Sequence, residues 1–429
     1  ERSYTYDIKT LSNKIARIRL KAKVETDLLK NVSATTSYEY DDYGYPTEES
    51  TSYTGNITVH KSNTYSSNPE VDDGYNLGFL TNQLVTVTRD GSSYTERMCL
   101  LDYSSRLRLF NVRAYYKNGK QVEVQTYQYD RYGNPISEIV KKYTSSDELK
   151  TVYEYDSNGR IYAITSPMEL TKKFWYDMFG RLLVIEDHKK NLTRFDYDSF
   201  GRKISVTYPD GTTEKIQYAW SSTGPDGLYS ITRINTDQRS TIDVYDALNR
   251  EVRNSEIRFD GSVISIDKLY DSYGNLEKVS LPFTGKAASL WNTYAYDAYD
   301  RILSCTEASG KKTVYSYKEN TVTTVADNIS VTKEYDAQDN LISVKDSAGT
   351  VTYNLSADGQ LSSIVAPGNV VTSFGYDEYR RQTSLVDPSW GTISYEYDAA
   401  GNLAKEKYPD GDIIQNEYDS YNRVVKTIT

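Results

Sequence analysis

The chain has 429 residues and a formal net charge of −10, and its 42 tyrosines far outnumber its 9 phenylalanines and 4 tryptophans. The acidic balance, with 60 Asp and Glu against 50 Lys and Arg, argues against a nucleic-acid partner. No apolar run approaches the ~20 residues that a spanning helix requires, so the sequence predicts no membrane insertion.

The residue types that most often carry chemistry are scarce and scattered. His60, His188, Cys99 and Cys305 each stand alone in the sequence, so zinc sites and Cys–His dyads lack ligands and partners. No phosphate-binding glycine loop and no nucleophile elbow occurs. We therefore expect no catalytic residue, no metal site and no cofactor, and we predict that the chain is not an enzyme. The two cysteines are expected to be free thiols.

Residues 1–120 form the first predicted region, a less regular N-terminal β region. The chain begins with Glu1 rather than Met and has no recognisable signal peptide, so we expect it to be a segment of a longer polypeptide. Residues 121–429 form the second region, a continuous array with a period of about 21 residues. No Pro-, Ser- or Gly-rich linker interrupts this array, which predicts one continuous body.

The array is marked by fourteen anchor tyrosines, and six of the thirteen intervals between them are 21 residues. Three anchors, Tyr218, Tyr317 and Tyr353, lack a following Asp. The eleven Tyr-Asp pairs are Tyr129 with Asp130, Tyr155 with Asp156, Tyr176 with Asp177, Tyr197 with Asp198, Tyr245 with Asp246, Tyr270 with Asp271, Tyr296 with Asp297, Tyr335 with Asp336, Tyr376 with Asp377, Tyr397 with Asp398, and Tyr418 with Asp419. We predict that these aspartates cap turns by accepting backbone N–H bonds.

A glycine three residues after the Asp completes the best-formed copies. These turn glycines are Gly133, Gly159, Gly180, Gly201, Gly274 and Gly401, and we expect them to have positive φ. Elsewhere the position is taken by Asn249, Asp300, Asp339, Arg380 or Asn422. Asn and Asp tolerate positive φ best among non-glycine residues, so only Arg380 departs from the expected pattern.

Between anchors the order is turn, short strand, turn, short strand. Residues 203–208 alternate, residues 209–211 read Pro-Asp-Gly, and residues 212–218 alternate again. An aromatic residue two positions before many anchors shares a sheet face with the anchor ring, which predicts a half-buried ring ladder. The pattern predicts an all-β fold of successive hairpins with less than about one-tenth helix.

The Tyr-Asp-x-x-Gly-Arg and Tyr-Asp-x-x-Gly-Asn anchors resemble the YD repeats of the Rhs family, which includes the Tc toxin C components and the teneurins. The resemblance covers residues 127–429, and residues 38–46 resemble another version of the same anchor. It implies a repetitive hairpin sheet that spirals as a YD-repeat shell or solenoid segment. Two family features are missing: an Asp-Pro-x-Gly motif with its self-cleavage aspartates, and a variable C-terminal toxin domain.

Two functional hypotheses follow. The resemblance implies a structural module of an exported or cell-surface bacterial protein, forming part of a shell that encloses or presents a polypeptide effector. Its partner would be a C-terminal effector domain of the same parent protein. The alternative is a cell-surface adhesion or carbohydrate-binding module that offers its tyrosines to cell-surface glycans. The resemblance places either module outside the cell or on its surface.

Overall fold

The computed structural model describes residues 1–10, 16–66, 78–104, 109–142, 148–398, 400–419 and 423–429. Within these residues there are 36 β-strands and no helix. Every strand pairs antiparallel with the next one in the sequence, from β1 through β36, so the chain is one long meander. The predicted all-β fold is confirmed, and the sheet does not close into a barrel.

The first nine strands are long, with 8 to 13 residues each. They are β1 (Arg2–Thr10), β2 (Ala16–Asp27), β3 (Val32–Tyr40), β4 (Pro46–Tyr53), β5 (Ile57–Tyr65), β6 (Leu80–Arg89), β7 (Ser92–Ser104), β8 (Leu109–Lys117) and β9 (Lys120–Tyr129). Strands β8 and β9 pair across the predicted regional boundary after residue 120 without a break. That boundary stays a prediction.

The remaining strands are shorter, with 5 to 8 residues each. They are β10 (Pro135–Lys142), β11 (Glu148–Tyr155), β12 (Ile161–Thr165), β13 (Thr171–Tyr176), β14 (Leu182–Glu186), β15 (Leu192–Tyr197), β16 (Lys203–Thr207), β17 (Thr213–Trp220), β18 (Tyr229–Asn235), β19 (Ser240–Tyr245), β20 (Glu251–Ile257), β21 (Val263–Tyr270), β22 (Leu276–Ser280), β23 (Trp291–Tyr296), β24 (Ile302–Thr306), β25 (Lys312–Lys318), β26 (Thr321–Ala326), β27 (Ile329–Tyr335), β28 (Leu341–Asp346), β29 (Gly349–Leu355), β30 (Leu361–Ala366), β31 (Val370–Tyr376), β32 (Gln382–Asp387), β33 (Gly391–Tyr397), β34 (Leu403–Lys407), β35 (Ile413–Tyr418) and β36 (Val424–Ile428).

The sheet is thin, as the tyrosine-rich composition predicted. The accessible surface is 26327 Å², whereas a compact monomer of 48.9 kDa would expose roughly 17,000 Å². Ile57 and Val244 are the largest fully buried side chains among the described residues. Stability must therefore come from contacts repeated along the sheet rather than from one thick core.

Each regular anchor tyrosine marks a β-bulge. Tyr155 pairs with Ile161 after a register shift at Glu154, and Tyr197 pairs with Lys203 after a shift at Asp196. A bulge adds one residue to one strand and increases the local twist. The bulge recurs at most odd-numbered strands, although β17 and β25 pair with the next strand without one, so the added twist accumulates along the ribbon.

The turn glycines have the positive φ that the repeat predicts, for example 76° at Gly159, 85° at Gly180 and 81° at Gly201. The substituted positions Asn249, Asp300, Asp339 and Arg380 keep the same conformation, with φ between 61° and 65°. Asn422 lies outside the described residues. The turn geometry therefore persists even where the residue is unfavourable.

Replacing Gly180 with Val should lower the free energy of unfolding by about 1–3 kcal/mol, because a β-branched residue is strained at positive φ. Urea denaturation followed by circular dichroism measures the loss. Met178→Val in the same turn is the matched control, since Met178 is exposed and not among the positive-φ residues, and it should change stability by less than about 0.5 kcal/mol. Equal effects of the two variants would contradict the requirement for positive φ.

Candidate functional site

The turns of the meander alternate between two edges of the sheet. The anchor edge carries the turns that follow odd-numbered strands, and all fourteen anchor tyrosines lie on odd-numbered strands. The opposite edge carries the turns that follow even-numbered strands, such as residues 166–170 and 208–212. The side chains of the repeated turns therefore lie along one or the other of these two edges.

Each Tyr-Asp turn is organised around its carboxylate. Asp177 Oδ1 accepts the backbone N–H groups of Phe179 and Arg181, each at 2.9 Å, while Oδ2 accepts Arg181 Nε–H at 2.6 Å. The backbone closes the loop, because Gly180 N–H donates to the Asp177 carbonyl at 3.1 Å. Where Asn ends the turn, its amide replaces the guanidinium, as Asn134 does toward Asp130 at 2.9 Å.

These hydrogen bonds set the charge state of the turn. Burial would raise the pKa of Asp177, but the backbone N–H and guanidinium of Arg181 outweigh it and lower that pKa below its usual value. The pKa of Asp198 is lowered by the same balance with Arg202. The pKa of Asp130 is lowered chiefly by the side-chain amide of Asn134. These three carboxylates are therefore ionised at neutral pH and hydrogen-bonded within their own turns.

The anchor hydroxyl joins most of these turns to the neighbouring strand. Tyr197 donates its hydroxyl hydrogen to the carbonyl oxygen of Leu182, the first residue of β14, at 2.8 Å. The same kind of bond to a backbone carbonyl is made by Tyr40, Tyr129, Tyr155, Tyr176, Tyr218, Tyr270, Tyr296, Tyr317, Tyr376, Tyr397 and Tyr418. A half-buried tyrosine ring in a thin sheet needs a hydrogen-bond partner for its hydroxyl, and the backbone carbonyl provides it.

The ring faces meet guanidinium groups. Arg181 Cζ lies 4.9 Å from the ring centroid of Tyr197 in the next anchor, a cation–π contact. Five further turns repeat it at 4.3 to 5.0 Å, namely Arg160 over Tyr176, Arg202 over Tyr218, Arg250 over Tyr270, Arg301 over Tyr317 and Arg381 over Tyr397. The predicted ring-on-ring ladder is wrong for these turns. Consecutive anchors are two strands or ~9.5 Å apart, which is beyond stacking distance.

One anchor assignment needs correction. Tyr353 was expected at the anchor position, but the bulge lies two residues later, where Leu355 pairs with Leu361. Ser356 starts the turn in place of Asp, and Gly359 N–H donates to its carbonyl at 2.9 Å. The signal for this anchor was Gly359, because an anchor residue lies four positions before its turn glycine.

The opposite edge contains related turns that sequence reasoning missed. Asp187 Oδ1 accepts the N–H groups of Lys189 at 2.8 Å and Asn191 at 2.9 Å, and Lys190 has φ 69°. This is the anchor-turn geometry without the tyrosine, since Glu186 precedes the Asp. The spacing of Asp187 and Asn191 was the available signal, because it equals that of Asp130 and Asn134.

The two edges of the sheet touch each other along a seam, defined here as the contact between the opposite edge of residues 27–122 and the anchor edge of residues 336–380. At its centre Arg89 Nη1 lies 2.6 Å from Asp336 Oδ2, and Arg89 Nη2 donates to Gln338 Oε1 at 2.9 Å. The side chains of Arg89 and Asp336 are only 7% and 9% exposed. The centre of the seam is therefore a buried ion pair.

Three further contacts extend the seam on either side of Arg89. Lys30 forms an ion pair with Asp339, and Lys120 forms one with Glu378. The hydroxyl of Tyr379 donates to the carbonyl of Val122 at 3.1 Å. The partners are 247 to 309 residues apart in the sequence, so the ribbon returns to lie against itself as a coil.

The seam holds an ionised Asp336. Burial would raise its pKa, but hydrogen bonds from Arg89 and Asn340 outweigh this effect and lower the pKa. No sequence pattern marks Arg89, Lys30 or Lys120 as partners of particular turns. Contacts this distant in sequence are decided by how the ribbon curves.

The residues with reactive side chains do not assemble into a site in the part of the chain that the structure describes. No group of three or more His, Cys, Asp or Glu side chains is placed to hold a metal ion there. Cys99 and Cys305 are free thiols. No helix among these residues is long and apolar enough to cross a membrane.

Replacing Tyr197 with Phe should lower the free energy of unfolding by about 0.5–1.5 kcal/mol, because the Leu182 carbonyl loses its hydroxyl donor. Urea denaturation measures this change. Tyr273→Phe is the control, since that ring is 89% exposed and its loss of a hydroxyl should cost less than about 0.5 kcal/mol. A Tyr197 variant as stable as the Tyr273 variant would show that the hydroxyl bond contributes nothing.

Replacing Arg89 with Ala should cost about 3–5 kcal/mol, because Asp336 is left as a buried charge without its partner. Hydrogen exchange should become faster at residues 89–91 and 336–340, since the seam separates locally. Arg239→Ala is the control, as it breaks an ion pair with Asp237 whose side chains are 60% and 42% exposed, and it should cost at most about 1 kcal/mol. Unchanged exchange at residues 336–340 in the Arg89 variant would refute the seam.

Two solved structures share this architecture. The crystal structure of TcdB2-TccC3-TEV aligns with a TM-score of 0.73 and 9% identity over 99% of this chain and 34% of that chain. The crystal structure of TcdB2-TccC3 aligns with a TM-score of 0.62 and 10% identity over 100% of this chain and 30% of that chain. The likeness at this identity concerns the fold, and the chain spans about one third of theirs.

The family models match in sequence as well. The RHS repeat model matches residues 356–389, and the teneurin YD-shell model matches residues 101–324, just over half of the chain. A comparison with curated proteins gave no match. The repeated turns, the hairpin sheet and these matches together establish that the chain belongs to the YD-shell family of Rhs-type repeat proteins.

Proposed function

We propose that the chain is a wall segment of an exported or cell-surface shell that encloses or presents a polypeptide effector. The observation that carries the proposal is the seam. A ribbon whose opposite edge binds its own anchor edge after about 250 residues forms a curved wall rather than an open platform. The family assignment and the fold shared with TcdB2-TccC3 support a structural role.

The proposal includes no catalytic role. The repeated carboxylates are engaged by their own turns, as Asp177 is by Phe179 and Arg181. The anchor side chains thus stabilise the wall. The effector would be a domain of the same parent polypeptide, and the shell would act outside the cell or on its surface.

The alternative function, adhesion through carbohydrate binding, is less well supported by the anchor tyrosines. A sugar-stacking platform needs a free ring face, but Tyr197 has Arg181 over its ring and its hydroxyl bonded to Leu182. The same contacts recur along the array. The anchor tyrosines are therefore better explained as packing residues of the sheet than as a carbohydrate-binding surface.

The enclosure can be tested with a disordered reporter of about 60 residues, carrying protease sites, fused after Thr429. We expect protease to cleave this reporter several-fold more slowly when fused to the wild-type chain than when fused to the seam variant Arg89→Ala/Lys120→Ala. The Arg239→Ala fusion serves as the control and should behave like the wild type. Equal cleavage in all three fusions, with native circular dichroism spectra, would refute enclosure.

A further inference from the structure

A row of exposed apolar side chains runs along the anchor edge outside the seam. They occupy one repeat position, the fourth residue of the turn when the anchor tyrosine is counted as the first, and we call them the turn row. Its members are Tyr132, Phe179, Phe200, Leu248, Tyr273 and Tyr299, and they are 62% to 89% exposed. The same position is polar at Asn158 and Ser221, but six exposed apolar side chains at one repeat position exceed the scattered exposed apolar residues that are ordinary on a protein surface.

The seam shows what this repeat position does when it is covered. Gln338 and Tyr379 occupy the same position in their turns, and both contact the opposite edge of residues 27–122. Tyr379 donates to Val122 and is half-buried, whereas its equivalents Phe179 and Phe200 are exposed. The turn row thus continues a binding surface that the chain already uses on itself.

The uncovered rings are already held in the arrangement seen in the seam. In the seam, Arg381 Cζ lies 5.0 Å from the ring centroid of Tyr379. In the turn row, Arg181 and Arg202 lie 5.3 Å from the centroids of Phe179 and Phe200. A side chain held in its bound orientation loses less conformational entropy on binding.

The rest of the opposite edge has a matching composition. Its turns carry exposed Phe259 and Trp390, and their prolines are Pro167, Pro209, Pro367, Pro388 and Pro409. Both edges therefore expose aromatic side chains that can pack against each other.

We propose that the turn row binds the opposite edge of a second copy of this chain, so that two coils stack edge to edge and continue the seam between molecules. Six aromatic or aliphatic side chains exposed to this extent amount to on the order of 900 Å², close to the ~800 Å² per partner of a stable interface. Such an interface is head-to-tail, so further copies can add. It requires no effector and does not depend on enclosure.

Analytical ultracentrifugation of the full chain from about 1 to 100 μM tests the association. We expect wild-type dimers and larger species, and at least a hundredfold weaker association for the turn-row variant Phe179→Ser/Phe200→Ser/Tyr273→Ser. The opposite-edge variant Phe259→Ser/Trp390→Ser should be weakened as well. Because the interface is head-to-tail, an equimolar mixture of these two variants should recover a heterodimer.

The control is Val425→Ser, which changes an exposed residue of the terminal strand β36 and should associate like the wild type. Circular dichroism spectra should be unchanged in all variants, since the substituted side chains are exposed. A monomeric wild-type chain, unchanged association of the turn-row variant, or association lost only in the Val425 variant would overturn the proposal. So would binding of the monomeric wild type to a glycan array that the turn-row variant abolishes.

Discussion

The structure depends on one local constraint, a carboxylate that satisfies the backbone of its own turn while a tyrosine hydroxyl ties that turn to the next strand. Asp177 and Tyr197 show the two halves of this arrangement. A thin sheet exposes many backbone groups near its edges, and an unpaired buried carbonyl or N–H is costly. The Tyr-Asp pair supplies an acceptor and a donor where the strands end, so backbone groups of the turn are hydrogen-bonded where the strand ladder stops.

Because every repeat meets the same need, stability is distributed along the chain. Most units contact a neighbour through a tyrosine hydroxyl bond, and six of them add a guanidinium over a ring, as Arg202 lies over Tyr218. Linear repeat proteins behave approximately as sums of such nearest-neighbour terms. The high accessible surface is therefore consistent with a stable fold, since stability does not depend on a single hydrophobic core.

The seam adds long-range contacts to these nearest-neighbour contacts. Arg89 and Asp336 connect parts of the ribbon 247 residues apart, which the nearest-neighbour contacts cannot do. A coil held only by curvature could open, whereas a buried ion pair flanked by Lys120 with Glu378 fixes which turns lie against each other. The wall proposed for this chain requires these long-range seam contacts.

Local sequence was sufficient to predict the hairpin pattern, most turns and the positive φ of residues such as Gly180, because these depend on neighbours within a few residues. It also predicted the family, since the anchor spacing survives substitutions such as Asn249. The structure alone decided that Leu355 takes an anchor position, that Arg181 rather than a ring covers Tyr197, and that Arg89 meets Asp336. These outcomes depend on strand separation and on the summed curvature of many bulges. No local pattern encodes either quantity.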